Sequence, residues 1–569
     1  MAAFDTSNMS LLFFGKEEDY KIMSEETLHD LGLDALARSV TAEPKEQLLI
    51  LRILAQINPS AEEAVLRQDI FSDLLNLPDK RKELLDLFNR IEYLKDYGSW
   101  RKSAEDKPDL WDLLHRMEEI NSYITAVEEL RKTLSDPAIK AEGLIALKKR
   151  IDEIYEEACF YEMKKDIDNI KTASSCIQSL TVGINVNSRF EAESLGLVSV
   201  NSKQFKKSNI VGNFADAIAS KDRIKDDTEW DGDMHVIPAS ISDHESAINM
   251  LDRQVSAINL MKNPLLMNSS TLSAIPDGDG SISSSLYLST AASKMTGHIV
   301  KKLRNILSKY TDVSIVTISK LIPELIYYIR FAEYIEKKTA SGMTFCKPEV
   351  SAGDKGPYMN AEGFYNLKLI DAVSAADEIV DNDLVFDKEH MIYLLTGANR
   401  GGKTTLTQAV GQLYVLAQGG IFVPAKKFEY SPVDMIFSHF PADEDKTTDL
   451  GRLGEECVRF KEIFNEATSD SLILLNETFS TTSFEEGYYI ATDAVKALSS
   501  RKIRAIYNTH MHKLAVDSQD KDKGISSIVM LTDKGQRSFK AVLMPPEGLS
   551  YARDIAEKYG VTYEMLTGG

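Results

Sequence analysis

Gly397-Ala398-Asn399-Arg400-Gly401-Gly402-Lys403-Thr404 satisfies the pattern G-x-x-x-x-G-K-[ST] in full, and its flanks give it meaning. The apolar run Met391 to Leu395 reads as a buried strand entering the loop, and Thr405 to Gln418 reads as a helix leaving it. In a strand, glycine-rich turn and helix of this kind, backbone N–H groups and the positive end of the helix face an anion. Lys403 then reaches the β and γ oxygens of a nucleoside triphosphate, and the Thr404 hydroxyl ligates Mg²⁺. The expected ligands are ATP and Mg²⁺, and the expected nucleotide-binding residues are Gly397, Asn399, Gly401, Gly402, Lys403, Thr404 and Thr405.

Downstream, Ser471 to Leu475 reads as a second buried strand and ends in Asn476-Glu477. Such strands in nucleotide-hydrolysing proteins usually end in an Asp that holds Mg²⁺, often followed by a Glu that polarises water. An Asn at this place offers an amide oxygen to a metal-bound water but brings no negative charge to a hard dication. The expectation is weak Mg²⁺ retention at Asn476 and slow hydrolysis, with Glu477 as general base. A further strand, Ile503 to Tyr507, closes on Asn508-Thr509-His510; a histidine placed there can sense the γ-phosphate or orient the water.

Upstream, the dominant period from about residue 25 to 175 is helical. Leu84, Leu87, Phe88 and Ile91 share one face, as do Leu113, Met117, Ile120, Ile124 and Val127. The period changes where Leu180, Val182, Ile184 and Val186 alternate with polar residues, as in a half-buried strand, with Leu195 to Val200 as a candidate partner. Residues 205 to 290 are irregular and include the acidic run Asp226 to Asp233; helical periodicity resumes from Ser289 to Lys338. With 569 residues the chain exceeds one core. The expected parts are a helical core or lever at 1–178, a β-containing insertion at 179–300, a helical return at 301–343 and a nucleotide-binding domain at 344–569. Four scattered cysteines without a C-x-x-C pair, no secretory leader and no long apolar span point to a cytoplasmic protein without a membrane segment. A net charge of −21 opposes nucleic-acid binding through the whole surface, so any such contact is local; Lys203, Lys206 and Lys207 are the candidate cluster.

The segment Thr396 to Thr405, TGANRGGKTT, resembles the phosphate loop of the MutS family of DNA-repair ATPases, which carries Asn two residues after its first glycine and a GGK[ST] ending. The resemblance continues through Gly420 to Ala425, Pro432 to Phe437, Asn476-Glu477, Thr482-Ser483, Gly487 and Thr509-His510. Arg67-Gln68-Asp69-Ile70-Phe71 looks like the start of the family's helical core. The resemblance implies a multidomain α + α/β protein, a long-helix core or lever followed by an ABC-type P-loop α/β ATPase domain. It also implies a homodimer, or a heterodimer with another MutS-like chain, with ATP at the interface and levers that close around branched or mismatched DNA.

Four departures stand against the family pattern. Asn476 replaces the metal-site Asp. The in-trans signature Ser falls on Gly451, followed by Leu453 and Glu456. Phe-x-Glu occurs at Phe331 to Glu333 rather than in a leading mismatch-reading domain, and no tail domain is seen before Gly569. Two functions therefore stand side by side: an ATP-dependent DNA clamp in repair or recombination, and an ATP-controlled assembly module for a protein or ribonucleoprotein partner.

Overall fold

The computed structural model describes residues 10–14, 20–98, 110–174, 179–186, 188–189, 192–201, 272–274, 297–310, 321–351, 356–370, 378–398, 400–441, 451–533, 536–545 and 559–567. Two of its early helices start on side-chain caps. Ser24 accepts from the Thr27 N–H (3.1 Å) at the start of helix Glu25–Asp30. Ser60 does the same for Glu63 (3.3 Å) at helix Ala61–Asn76, with Glu62 and Glu63 in the positive first turn.

The chain divides into two units, one formed by Met1–Leu85, Thr133–Arg150 and Lys320–Gly569, the other by Asp86–Lys132 and Ile151–Ser319. In the first, strand β1 (Lys21–Ile22) pairs antiparallel with β2 (Gln56–Ile57). Helices Leu33–Val40, Pro44–Leu54 and Ala61–Asn76 pack with helix Ile322–Ala340, whose Tyr327, Tyr328, Ile329 and Phe331 are buried. Each apolar side chain of this size contributes roughly 1.5–3 kcal/mol when removed from water.

In the second unit, helix Leu110–Thr133 buries Leu113, Met117, Ile120, Ile124 and Val127, the stripe expected from their spacing. Helix Pro78–Gly98 crosses the boundary between the units; Leu84 on the first side and Leu87 and Phe88 on the second are buried, while the side chain of Ile91 lies outside the described residues. Strand β3 (Ser179–Val186) pairs antiparallel with β4 (Ala192–Asn201), Leu180 opposite Val200 and Ile184 opposite Leu195, and β4 pairs with β5 (Leu272–Ala274). The Lys203, Lys206 and Lys207 cluster and the acidic run lie outside the described residues.

The rest of the first unit is built on two sheets. The smaller has the order β6-β10-β7-β8, from Glu349–Val350, Lys427–Tyr430, Met359–Phe364 and Asn382–Phe386. The larger has the order β11-β12-β13-β9-β14-β15, from Ile436–His439, Leu472–Asn476, Arg504–Asn508, Ile392–Gly397, Ile525–Asp533 and Gln536–Leu543. Its first five strands run parallel and β15 is antiparallel to β14. Strands β9, β12 and β13 are buried along their whole length, which is why they read as mostly apolar runs rather than alternating ones, Arg504 in β13 being the charged exception. The order sets one strand, β13, between the strand that enters the glycine-rich loop and the strand that ends in Asn476, so the tips of all three converge.

Candidate functional site

Strand β9 ends at Gly397, where φ is 138°, and helix Lys403–Gln418 begins after Gly402, where φ is 94°. Both lie where side chains are strained, so glycine is required on conformational grounds. At Gly397 space adds a second reason, since a Cβ would stand 2.9 Å from the Met530 Cβ on β14. The loop therefore keeps its backbone bare toward the cleft.

Lys403 is 5% exposed, and its Nζ donates to the carbonyls of Gly397 (3.1 Å) and Ala398 (3.2 Å). Burial lowers its pKa, against the opposing pull of the Glu477 carboxylate. An ammonium held this way gains when an anion replaces the carbonyls. Thr404 Oγ1 donates to Asn476 Oδ1 (3.1 Å), bringing together the two residues expected at the metal. Gly401, Gly402, Thr404, Thr405 and Glu477 line a cleft of about 420 Å³ with Phe364, Asn366 and Phe539, a size suited to a nucleotide-like ligand. Asn399 lies outside the described residues.

Glu477 leaves β12 with φ of 53°, a left-handed conformation uncommon for a side chain of this size. Its N–H donates to the Asn508 carbonyl (2.8 Å), and its carboxylate accepts from His510 Nε2 (2.8 Å). That hydrogen bond, more than the charge of His510 or Lys403, holds the Glu477 carboxyl below the ordinary carboxylate range. The two residues expected to act on water are thus in direct contact.

Sequence reading assigned no role to Asn508, Asn366 or Phe539. Asn508 is fully buried and donates through Nδ2 to Asn476 Oδ1. Asn366 donates to the Thr405 carbonyl (2.9 Å), and Asn382 holds the β15 backbone by donating to Phe539 O (3.2 Å) and accepting from Ala541 N (2.7 Å). The signal for Asn508 was a polar residue closing an apolar strand; for the other two there was none.

Beside this cleft, helix Gly451–Glu466 is tied to the end of β11. His439 Nε2 donates to the Glu456 carbonyl (3.2 Å), and Arg459 donates to the carbonyls of Ser438 and Phe440 (3.2 Å each). Thr478, next to Glu477, places its hydroxyl 3.1 Å from His439 Nδ1. The far end of the loop helix is held as well: Arg67 donates to the Gln418 carbonyl (2.8 Å), Gln68 to Ala417 (3.3 Å) and Tyr327 to Gly419 (3.0 Å).

Fold and site together define an α/β domain with a glycine-rich loop between strand and helix, joined to helices of the same chain. Residues 393–561 match the family model described as MutS domain V, and residues 60–340 match that of the MutS2 N-terminal domain. A DNA mismatch repair protein MutS from Chlorobium phaeobacteroides is 30% identical over 226 residues, 39% of this chain and 26% of the relative. An endonuclease MutS2 from Thermus thermophilus is 30% identical over 190 residues, 33% of this chain and 25% of the relative. A MutS from Desulforamulus reducens is 33% identical over 173 residues, 30% and 20% of the two chains. Both stretches are thus similar to proteins of the MutS family. The matched stretch spans about a quarter of the length of the first two relatives. Among the described residues no helix is long and apolar enough to cross a membrane.

Proposed function

We propose that this chain is an ABC-type P-loop ATPase of the cytoplasm that binds ATP with Mg²⁺, hydrolyses it slowly, and works on DNA as a dimer whose nucleotide sits between two such domains. Lys403, Thr404 and Glu477 lining one cleft, with Asn476 bonded to Thr404 and His510 to Glu477, carry the proposal. Relatives named as a DNA mismatch repair protein and an endonuclease support the DNA part. In this reading residues 1–178 and 301–343 form a helical lever, 179–300 occupies a clamp position, and 344–569 is the ATPase domain.

The residues fit the ligand pair. Mg²⁺ is commonly held by one or two protein oxygens together with phosphate oxygens, and Thr404 Oγ1 and Asn476 Oδ1 lie side by side. When bound, Mg²⁺ would neutralise charge on the β and γ phosphates. The bare loop amides and Lys403 bind and orient the phosphate tail. Glu477, kept ionised by His510, accepts the proton of an attacking water. A neutral amide at 476 lowers the local negative charge, which weakens metal retention and slows turnover.

The net charge of −21 favours a second reading, an ATP-controlled assembly module for a protein or ribonucleoprotein partner. Titration of the purified chain with mant-ATP tests the core claim: Lys403→Ala is expected to cost about 2–5 kcal/mol of binding with the fold intact, and unchanged affinity rejects the site. Gel shifts with duplex, mismatched and four-way-junction DNA in ATP and in ADP separate the two readings, since failure on every substrate rejects the DNA clamp.

A further inference from the structure

We propose that Asn508 is a positioning residue for the metal end of the cleft, one that turns the Asn476 side chain so that its carbonyl oxygen, and not its NH₂, faces Thr404. The inference rests on the ATP and Mg²⁺ reading above and deepens it.

Asn476 Oδ1 takes two donors, the Thr404 hydroxyl at 3.1 Å and the Nδ2 of Asn508, and Asn508 Nδ2 lies 3.4 Å from Thr404 Oγ1. A carboxylate at this strand end would need no orientation, because either of its ends is an oxygen. A carboxamide has two unlike ends. Turned over, Asn476 would bring its NH₂ against the Asn508 NH₂, donor against donor, and would donate into the Thr404 lone pair that a divalent cation uses. With Asn508 in place the Thr404 hydroxyl donates to Asn476 and, beside the long contact from Asn508 Nδ2 (3.4 Å), keeps one lone pair for a cation.

A second observation points the same way. Asn508 is fully buried, at the end of β13 opposite Asn476 of β12, and its own Oδ1 has no hydrogen-bond partner. Buried polar atoms are almost always paired, so one left alone marks a side chain fixed by another demand. Here the demand is the NH₂ that must meet Asn476. The fold keeps a polar residue whose oxygen gains nothing, because its nitrogen sets the acceptor beside Thr404.

The test compares Asn508→Ala and the nearly isosteric Asn508→Leu, each made in the parent and in an Asn476→Asp background. Thermal melting checks the fold, and mant-ATP binding is measured in EDTA and across a Mg²⁺ titration. In the parent background both substitutions are expected to raise the Mg²⁺ concentration at half-effect about tenfold, as losses of residues that orient metal ligands do, with affinity in EDTA unchanged. In the Asn476→Asp background the same substitutions should move it less than about threefold, because the carboxylate has no wrong face. Folded variants with an unmoved Mg²⁺ requirement overturn the inference, as does an equal loss in both backgrounds, which a merely structural role would give. A parent that binds no mant-ATP with or without Mg²⁺ overturns the ATP reading itself; a parent that binds while Asn508 proves indifferent overturns only the inference about Asn508.

Discussion

His439 should make the stability of the first unit fall between neutral pH and pH 4 by an amount that follows from its surroundings. The imidazole is 2% exposed and is wedged between Thr478 and the backbone of helix Gly451–Glu466. Burial first, and then the positive charge of Arg459, push its pKa from the ordinary 6.5 down to about 4. In the unfolded chain it titrates near 6.5, so the unfolded state takes up the proton first. The stability due to a neutral His439 is therefore complete above pH 6.5, is lost as pH falls toward 4, and changes no further below that. Each pH unit across that span is worth about 1.4 kcal/mol, giving roughly 3 kcal/mol in all. Replacing His439 with Gln keeps an N–H near the Glu456 carbonyl and removes the titration. The assay is urea unfolding followed by far-UV circular dichroism at pH 7, 5.5 and 4, because Trp100, Trp111 and Trp230 belong by number to the other unit and would miss the event. Subtracting the variant from the parent cancels the carboxylates common to both. The parent should lose about 3 kcal/mol more than the variant between pH 7 and pH 4; a difference below about 1 kcal/mol would refute the burial and charge reasoning.

Two other perturbations address the cleft and its support. Glu477→Gln is expected to reduce steady-state hydrolysis by about 10²–10⁴ while leaving mant-ATP affinity within a few-fold, and equal hydrolysis would remove Glu477 as the base. Because His510 holds the Glu477 carboxyl low, hydrolysis is lost only as pH falls below the ordinary carboxylate range; His510→Ala should move that loss to higher pH, as read in the acid limb of kcat/KM. Arg67→Met removes the guanidinium that donates to the Leu12 and Gln418 carbonyls (2.6 and 2.8 Å). It should cost about 3 kcal/mol in urea unfolding, and a cost under about 1 kcal/mol would show these bonds to be incidental.

The glycine-rich loop was legible because everything it needs is contiguous: two glycines with positive φ, a lysine and a hydroxyl, between an apolar strand and a helix. Strands β12 and β13 were legible for a related reason, since strands buried on both faces spell largely apolar runs. What closes the site was not legible, because its partners are far apart in the chain. Asn508 meets Asn476 only through the register of two parallel strands, and Arg67 reaches Gln418 across 351 positions. Arg504 is the sharpest case. It sits inside a strand that reads as buried, is itself fully buried, and donates to the Asp470 carbonyl (2.9 Å) and to the Tyr414 and Ser431 hydroxyls (3.2 and 3.1 Å). Periodicity reports that a position is buried, but not which distant carbonyl makes a buried charge tolerable there.

The loop helix also joins the two stretches that match the family models. A helix has two electrically unlike ends: the N–H groups at its start favour an anion, and the carbonyls at its finish favour donors or cations. In helix Lys403–Gln418 the first end opens to the cleft, while the carbonyls of Ala417, Gln418 and Gly419 are taken by Gln68, Arg67 and Tyr327. Those three donors come from helices Ala61–Asn76 and Ile322–Ala340, within the stretch that matches the MutS2 N-terminal domain. Along its length, Gln408 and Gln412 donate to the carbonyls of Asp30 and Leu31 (2.7 and 2.8 Å). Gly419 and Gly420 fit the same demand, for a Cβ at either would run into Tyr327 or Arg67. The helix whose start opens to the cleft is thus completed at its other end by a different part of the chain, and a change at either end must be borne by both.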